Sequence, residues 1–254
     1  MSVEFSKFPS DAAWRKIYAS SPFKPMFSLL NEIQYHNPVR KGVDAFAKEI
    51  KIQGLLLELQ HRLCDAGKSY VLMMFYSKQG IPDKRWHISP GSRGSSVEYF
   101  PDFEDRHFEI KGWFDFYADT LYYKLFSAWD IVGHILNVKC NLGLSRASFH
   151  NAVCVAIEQN SASYTHWSQI VTSSVFRKAK GIRHDITHNY LPSTTGMTIG
   201  LKEYSIGGKR KRKEYRFGMK KYLPSDEIVA NLDQALDLFK ITLEKVQHEL
   251  GCAT

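Results

Sequence analysis

Apolar residues recur at helical spacing along most of the chain, and glycine and proline mark the stretches between. Val43, Phe46, Ala47 and Ile50 stand three or four apart and predict a helix, which Gly67 is placed to stop after Arg62–Ala66. Residues 69–77 fit either a buried strand or a helix end. Gly80, Pro82, Pro90, Gly91, Gly94 and Pro101 predict a long loop over 79–102, with room for a short strand pair. The clearest helix runs from His107 to Asn141. It contains no proline and is apolar around most of its circumference. One narrow polar stripe interrupts it: Asp115, Asp119, Tyr123, Ser127, Asp130, His134, Asn137 and Asn141. A helix so patterned belongs deep in a bundle, with the stripe as either its solvent face or the wall of a site.

Two further helices are predicted over 145–159 and 163–190, the second ended by Pro192. Over 196–222 the period changes to two. Met197, Ile199 and Leu201 alternate with polar or small residues, Gly207-Gly208 supplies a turn, and Tyr215, Phe217 and Met219 alternate on the return. A last helix starts near Ser225, with Asp226 and Glu227 in its first turn. Its apolar face is Ile228, Leu232, Leu236, Phe239, Leu243, Val246 and Leu250, and Gly251 closes it. The expected fold class is mainly α, an antiparallel helical bundle with an inserted basic β-hairpin. The expected division is an N-terminal helical extension with an irregular loop over 1–105 and the bundle over 106–254.

Composition narrows the function classes. The chain has 254 residues, 44% hydrophobic and 24% charged, as in ordinary globular proteins. No apolar run of membrane-spanning length and no signal-like start are present, so the expected setting is cytoplasmic, away from membranes. Cys64, Cys140, Cys154 and Cys252 are scattered and form no C-x-x-C pair, which predicts reduced, buried thiols. The net charge is +8, and its placement matters more than its size. Lys209, Arg210, Lys211, Arg212, Lys213, Arg216, Lys220 and Lys221 are opposed only by Glu214. Charge so focused attracts polyanions. Interleaved with Tyr215 and Phe217, it suits single-stranded nucleic acid through phosphate contact and base stacking. The competing reading is a solvated hairpin whose charges protect an edge strand. No glycine-rich phosphate loop follows a strand.

The candidate chemistry lies in Arg183-His184-Asp185-Ile186-Thr187-His188. Metal-free RNA cleavage needs a group that moves protons near neutrality, which suits histidine. It also needs a cation that holds phosphoryl oxygens, which suits the planar fork of arginine. On an ideal helix Arg183 and His188 are about 140° apart, so they do not converge on one phosphate. A second copy facing the first would supply the convergence, so a catalytic motif predicts a homodimer. A rival pattern is His184-Asp185-x-x-His188, close to the H-E-x-x-H zinc motif, which needs a third ligand that the sequence nearby does not offer.

The run Arg183-His184-x-x-x-His188 resembles the signature of the HEPN superfamily, in which arginine is followed by Asn, Asp or His, three residues and a histidine. The resemblance covers about Phe108 to Leu250 and is greatest to a bacterial HEPN-like subgroup with a long helix like that from Trp113 to Asn137. It implies a dimerising helical bundle. Many such proteins are metal-independent endoribonucleases of toxin–antitoxin or phage-defence systems, and others are inactive or bind nucleotides. Carried over, Arg183 and His188 would be the catalytic pair and His184 the polar second position. No cofactor is implied. RNA, a second copy and an antitoxin or regulatory protein would be the partners. The N-terminal hundred residues and the hairpin are not part of the common family pattern; by their own charge the hairpin residues Lys209, Arg210, Lys211, Arg212, Lys213 and Arg216 are expected to bind RNA, and Asp119, Ser127, Asp130 and His134 of the stripe to support the site. The alternatives that stay open are a non-catalytic HEPN-like module for nucleic acid or nucleotides, and zinc hydrolysis through His184 and His188.

Overall fold

A computed structural model describes residues 7–33, 42–92, 94–159, 164–188, 192–195, 197–206, 210–219 and 222–251. Its helices are α1 (Asp11–Ala19), α2 (Phe23–Glu32), α3 (Val43–Ser77), α4 (Asp105–Cys140), α5 (Phe149–Gln159), α6 (Thr165–Thr172), α7 (Ser174–His188) and α8 (Ser225–Gly251). Two antiparallel strand pairs accompany them, β1 (His87–Ile88) with β2 (Glu98–Tyr99) and β3 (Met197–Ile206) with β4 (Arg210–Met219). The mainly helical reading holds, and so do the loop over 79–102 with its short strand pair and the long hairpin. Among the described residues no helix is long and apolar enough to cross a membrane.

α4 is the axis of the fold. Its start is fixed by a reciprocal cap, in which the Glu104 side chain accepts from the His107 backbone and His107 Nδ1 accepts from the Glu104 N–H at 2.9 Å. Its end is Asn141 in the left-handed region at φ 53°, which Asn tolerates better than other non-glycine residues. α3 runs antiparallel beside it. Lys48 Nζ donates to the Lys139 carbonyl at 2.8 Å, Lys124 Nζ meets Asp65 at 2.8 Å, and Tyr76 stacks near Trp113.

Trp129, fully buried, joins four helices. Its ring lies 6.5 Å from Phe149 of α5, 5.1 Å from Phe176 of α7 and 5.3 Å from Phe239 of α8. Its indole N–H donates to Thr242 Oγ1 of α8 at 3.2 Å. The edge-to-face contacts with Phe176 and Phe239 add to a large area of burial. Next to it, Gly133 permits the close approach of α5: a Cβ there would stand 2.8 Å from backbone atoms of Phe149.

Three local expectations are corrected and one open choice is resolved. Gly67 does not stop a helix; it is buried inside α3 beside the Phe23 ring, which an added Cβ would meet at an ordinary contact distance of 3.5 Å. Residues 69–77, open between a strand and a helix end, are the last turns of that helix. The helix expected over 163–190 is two helices. Ser173 ends α6 with its N–H on the Ile170 carbonyl, turns extended at ψ 146°, and caps α7 by accepting from the Phe176 N–H at 3.1 Å. Serine competes for backbone hydrogen bonds, so the run Thr172-Ser173-Ser174 favours a break. Finally, Cys64 is exposed, and Cys140 and Cys154 are only partly buried; Cys252 lies outside the described residues.

The Gly133 contact is testable by urea denaturation. Gly133→Ala forces backbone against backbone and should lower stability by about 1–3 kcal/mol. Gly112→Ala, on the same helix where an added Cβ meets nothing within 4 Å, should instead raise it by about 0.5–1 kcal/mol.

Candidate functional site

Three parts of the fold carry the candidate chemistry: the C-terminal half of α7, the stripe on α4 and the root of the hairpin. α7 buries Phe176, Ala179 and Ile182. That spacing turns Arg177, Lys178 and Lys180 outward, where all three are exposed. Arg183 follows on the edge of this basic face, half-buried, and His184 and His188 lie on the last turns, His188 exposed.

Arg183 is placed by α4. Its guanidinium carbon lies 5.9 Å from the centre of the Tyr123 ring, within cation–π range. Its Nε is buried and has no hydrogen-bond partner among the described residues. An unmet buried donor costs about 1–3 kcal/mol, and on a guanidinium an anionic oxygen meets it best. The His184 and His188 rings are 5.0 Å apart between centres. Among the described residues no third His, Cys, Asp or Glu joins them in a metal-holding group.

The α4 stripe divides into two halves with different work. Asp130 accepts from the Phe149 N–H at 3.0 Å and so caps α5. Asn137 holds Leu144 through both its amide oxygen and its amide nitrogen. Ser127 and His134 are half-buried in this same half. His134 lies about 16 Å along the axis from Tyr123, by the rise of an α-helix. Tyr123, exposed, is the residue of the stripe that meets Arg183.

The other half of the stripe runs to the hairpin root. Asp115 pairs with buried Lys111 at 2.7 Å. Lys111 Nζ lies 5.4 Å from the centre of the Tyr222 ring. The Tyr222 hydroxyl donates to Asp83 Oδ2 at 2.7 Å, and burial, then that carboxylate, push it well above the usual tyrosine range. Asp83 also accepts from the Ser225 N–H and hydroxyl, each at 2.9 Å. A loop carboxylate thereby caps α8 from across the fold, where helix polarity favours negative charge. The Leu223 N–H donates to the Pro192 carbonyl at 2.9 Å, which ties the two legs of the hairpin together.

The register of the hairpin sets Arg210 opposite Ile206, Lys211 opposite Ser205, Arg212 opposite Tyr204, Lys213 opposite Glu203 and Arg216 opposite Gly200. Lys213 and Tyr215 are exposed, and Lys209 lies outside the described residues. Arg177, Lys178 and Lys180 were not among the residues expected to meet a polyanion. Their signal was the basic face left over once Phe176, Ala179 and Ile182 are taken as core. Tyr123 was legible as a member of the stripe, but its contact with Arg183 was not.

A family model described as HEPN_Cthe2314-like HEPN matches residues 55–251. No curated protein and no solved structure matches the chain.

Asp119 gives the site a measurable pH signature. Burial first, and then the negative charge of Asp115, raise its pKa to about 7, against a partial lowering by Lys111. Below the ordinary carboxyl range, Asp119 is neutral in both states and costs little. As pH rises towards 7 the unfolded chain ionises freely while the folded one resists, so stability falls and stays reduced above about 7. Asp119→Asn should remove this decline and raise Tm under mildly alkaline conditions by on the order of several degrees, with little change in acid. Thermal unfolding across that range checks it; an unchanged slope would show that Asp119 is not held neutral.

Proposed function

The chain belongs to the Cthe2314-like HEPN family, and on that premise we propose that it is a metal-independent endoribonuclease whose Arg183 and His188 act on one phosphodiester. The observation that carries this reading is Arg183 itself. A guanidinium set against Tyr123, with a buried Nε lacking an acceptor among the described residues, is prepared for an anionic oxygen. Five residues on, His188 is exposed at the helix end, within reach of a substrate in solvent.

The chemistry follows from what these groups can do. His188 takes the proton of the ribose 2′-hydroxyl, and that oxygen attacks the adjacent phosphorus. The bond from phosphorus to the 5′-oxygen breaks, and an imidazolium returns the proton to the leaving oxygen. Arg183 neutralises the charge that grows on the phosphoryl oxygens. The products are a 2′,3′-cyclic phosphate and a 5′-hydroxyl end. The angular separation of Arg183 and His188 on one helix supports a shared cleft, in which a second copy of the motif completes the site. His184, beside His188, positions that ring. A toxin or defence role, countered by an antitoxin or regulatory protein, is the setting that suits such an activity.

RNA is held by charge outside the reacting centre. The exposed face of α7, with Arg177, Lys178 and Lys180, and the hairpin residues Lys209, Arg210, Lys211, Arg212, Lys213 and Arg216 offer phosphate contacts; exposed Tyr215 offers a base-stacking surface. Asp119 shapes the α4 wall of the site. Asp130 supports the site at a distance, by capping α5 from α4, and Ser127 and His134 lie half-buried on the same stretch of α4.

Two experiments test the reading. Cleavage of total RNA should persist in EDTA and leave cyclic phosphate ends. His188→Ala and Arg183→Ala should each reduce it by about 10² to 10⁴, and Arg183→Lys should restore little. Loss in EDTA with rescue by zinc, or full activity of Arg183→Ala, would overturn the Arg–His mechanism. Separately, replacing Lys209–Lys213 with neutral residues should weaken RNA binding and flatten its dependence on salt, by about one slope unit for each phosphate no longer neutralised. An unchanged salt slope would remove the hairpin from the RNA-binding surface.

A further inference from the structure

α4 presents a line of aromatic rings to solvent on the approach to Arg183. Phe108 is 54% exposed, Phe116 58% and Tyr123 56%. By the turn of an α-helix the three fall within about 80° of one another, so they share one face. Gly112 stands between the first two, exposed, and an added Cβ there would meet nothing within 4 Å. Neighbouring rings hold both phenylalanines. Phe108 stands at 88° to Phe100 and 61° to Phe103; Phe116 stands at 85° to Trp113 and 81° to Tyr117. Each ring is fixed by aromatic neighbours while more than half of the residue faces water.

Both ends of the line meet groups that suit phosphate. At one end Tyr123 faces the Arg183 guanidinium, whose buried Nε lacks an acceptor among the described residues. At the other, Phe108 lies 6.1 Å from Phe100, and Phe100 lies 5.6 Å from Tyr222 at the root of the basic hairpin. The carboxylates alongside are answered or held back. Lys111 pairs with Asp115 at 2.7 Å, Arg106 pairs with Glu104 at 2.9 Å, burial raises the pKa of Asp119, and Glu109 lies on the α3 side, near Tyr76. Exposed Asp105 continues the line beyond Phe108, and its charge ends the surface that a phosphate backbone can follow. By the helix rise, the rings stand about 12 Å and about 10.5 Å apart along the axis. Bases in a duplex follow one another at about 3.4 Å, stacked on both faces, and have nothing to offer rings so spaced. A single strand can splay its bases and lay them on the rings.

We propose that Phe108, Phe116 and Tyr123 form a base-stacking track on α4, along which one RNA strand runs from Arg183 towards the hairpin root. The track restricts the substrate: the basic surfaces hold nucleic acid of any form, and the rings select strands whose bases are unpaired. It rests on the reading that this chain binds RNA, and not on the chemistry assigned to Arg183 and His188.

Fluorescence anisotropy with two uncleavable probes tests it: a short single-stranded DNA, which lacks the 2′-hydroxyl, and an abasic strand of the same length and charge. The full chain should bind the strand with bases more tightly, by about tenfold or more. Phe108→Ala/Phe116→Ala should remove that preference while leaving the abasic affinity and its salt slope unchanged, since no phosphate contact is lost. Phe116→Trp should keep the preference, and Phe116→Leu, apolar but without a ring, should lose it. Helicity by circular dichroism and mass by sedimentation should match wild type for every variant, because both positions are exposed. Equal binding of the two strands by wild type, or a Phe116→Leu variant as selective as Phe116→Trp, would overturn the track alone. A lower mass for Phe108→Ala/Phe116→Ala would assign the face to a second copy instead. Failure of wild type to bind either strand would overturn the RNA reading itself, and the track with it.

Discussion

The indole of Trp129 is the contact on which the placement of the helices depends. It meets Phe149, Phe176 and Phe239, and through them it binds α5, α7 and α8 to α4. Its N–H is met by Thr242, whose hydroxyl in turn donates to the Leu238 carbonyl. Removing a buried aromatic of this size typically costs about 3–5 kcal/mol, a large share of the stability of a domain. Its consequence for function is positional. Phe176 seats the N-terminal half of α7 against Trp129, and two turns further on the same helix delivers Arg183 to Tyr123. Because α7 runs antiparallel to α4, the contact at Trp129 sets the register in which Arg183 meets the stripe.

The stripe itself resolves a choice that periodicity leaves open. Neither a solvent face nor a single site describes it. Asp130 and Asn137 direct their hydrogen bonds to the backbone of residues 144–149, which makes that half of the stripe a fastening for α5. Asp115 and Asp119 lie in the other half, with Lys111 and the hairpin root, where burial keeps both carboxyls above the ordinary range. Tyr123 stands between the halves. A polar stripe on a buried helix can therefore serve two neighbours at once, each with its own chemistry.

What could be read from residue pattern alone follows a physical division. The apolar face of α8 was legible because all seven of its residues are core, so spacing and burial coincide. α4 was legible because no proline interrupts it and nearly all its faces are covered. The break at Ser173 was not, because the run Thr172-Ser173-Ser174 holds no glycine or proline to mark it. Val43, Phe46 and Ile50 were legible as a helix, but spacing does not say which apolar face a core takes; here the core takes the face of Ile52, Leu56 and Leu59. In the candidate site, Arg183, His184 and His188 were found from their spacing on α7. The support given by Tyr123, and the cap given by Asp83, join residues 60 to 142 positions apart, a distance at which local pattern carries no signal.

The Asp83 cap also sets an order of events during synthesis. Asp83 is made 142 residues before the Ser225 that it caps. At about 5–20 residues per second, roughly 7–28 seconds separate them. Until then the carboxylate has neither Tyr222 nor Ser225 to satisfy it and must remain hydrated, so the loop over 79–102 cannot settle into its final packing. The same arrival supplies Thr242 to Trp129 and Asn231 to Tyr122, the buried polar partners that α4 lacks. On a ribosome, α4 therefore waits with its central indole unpaired, and the last helix closes the hairpin root and the core together.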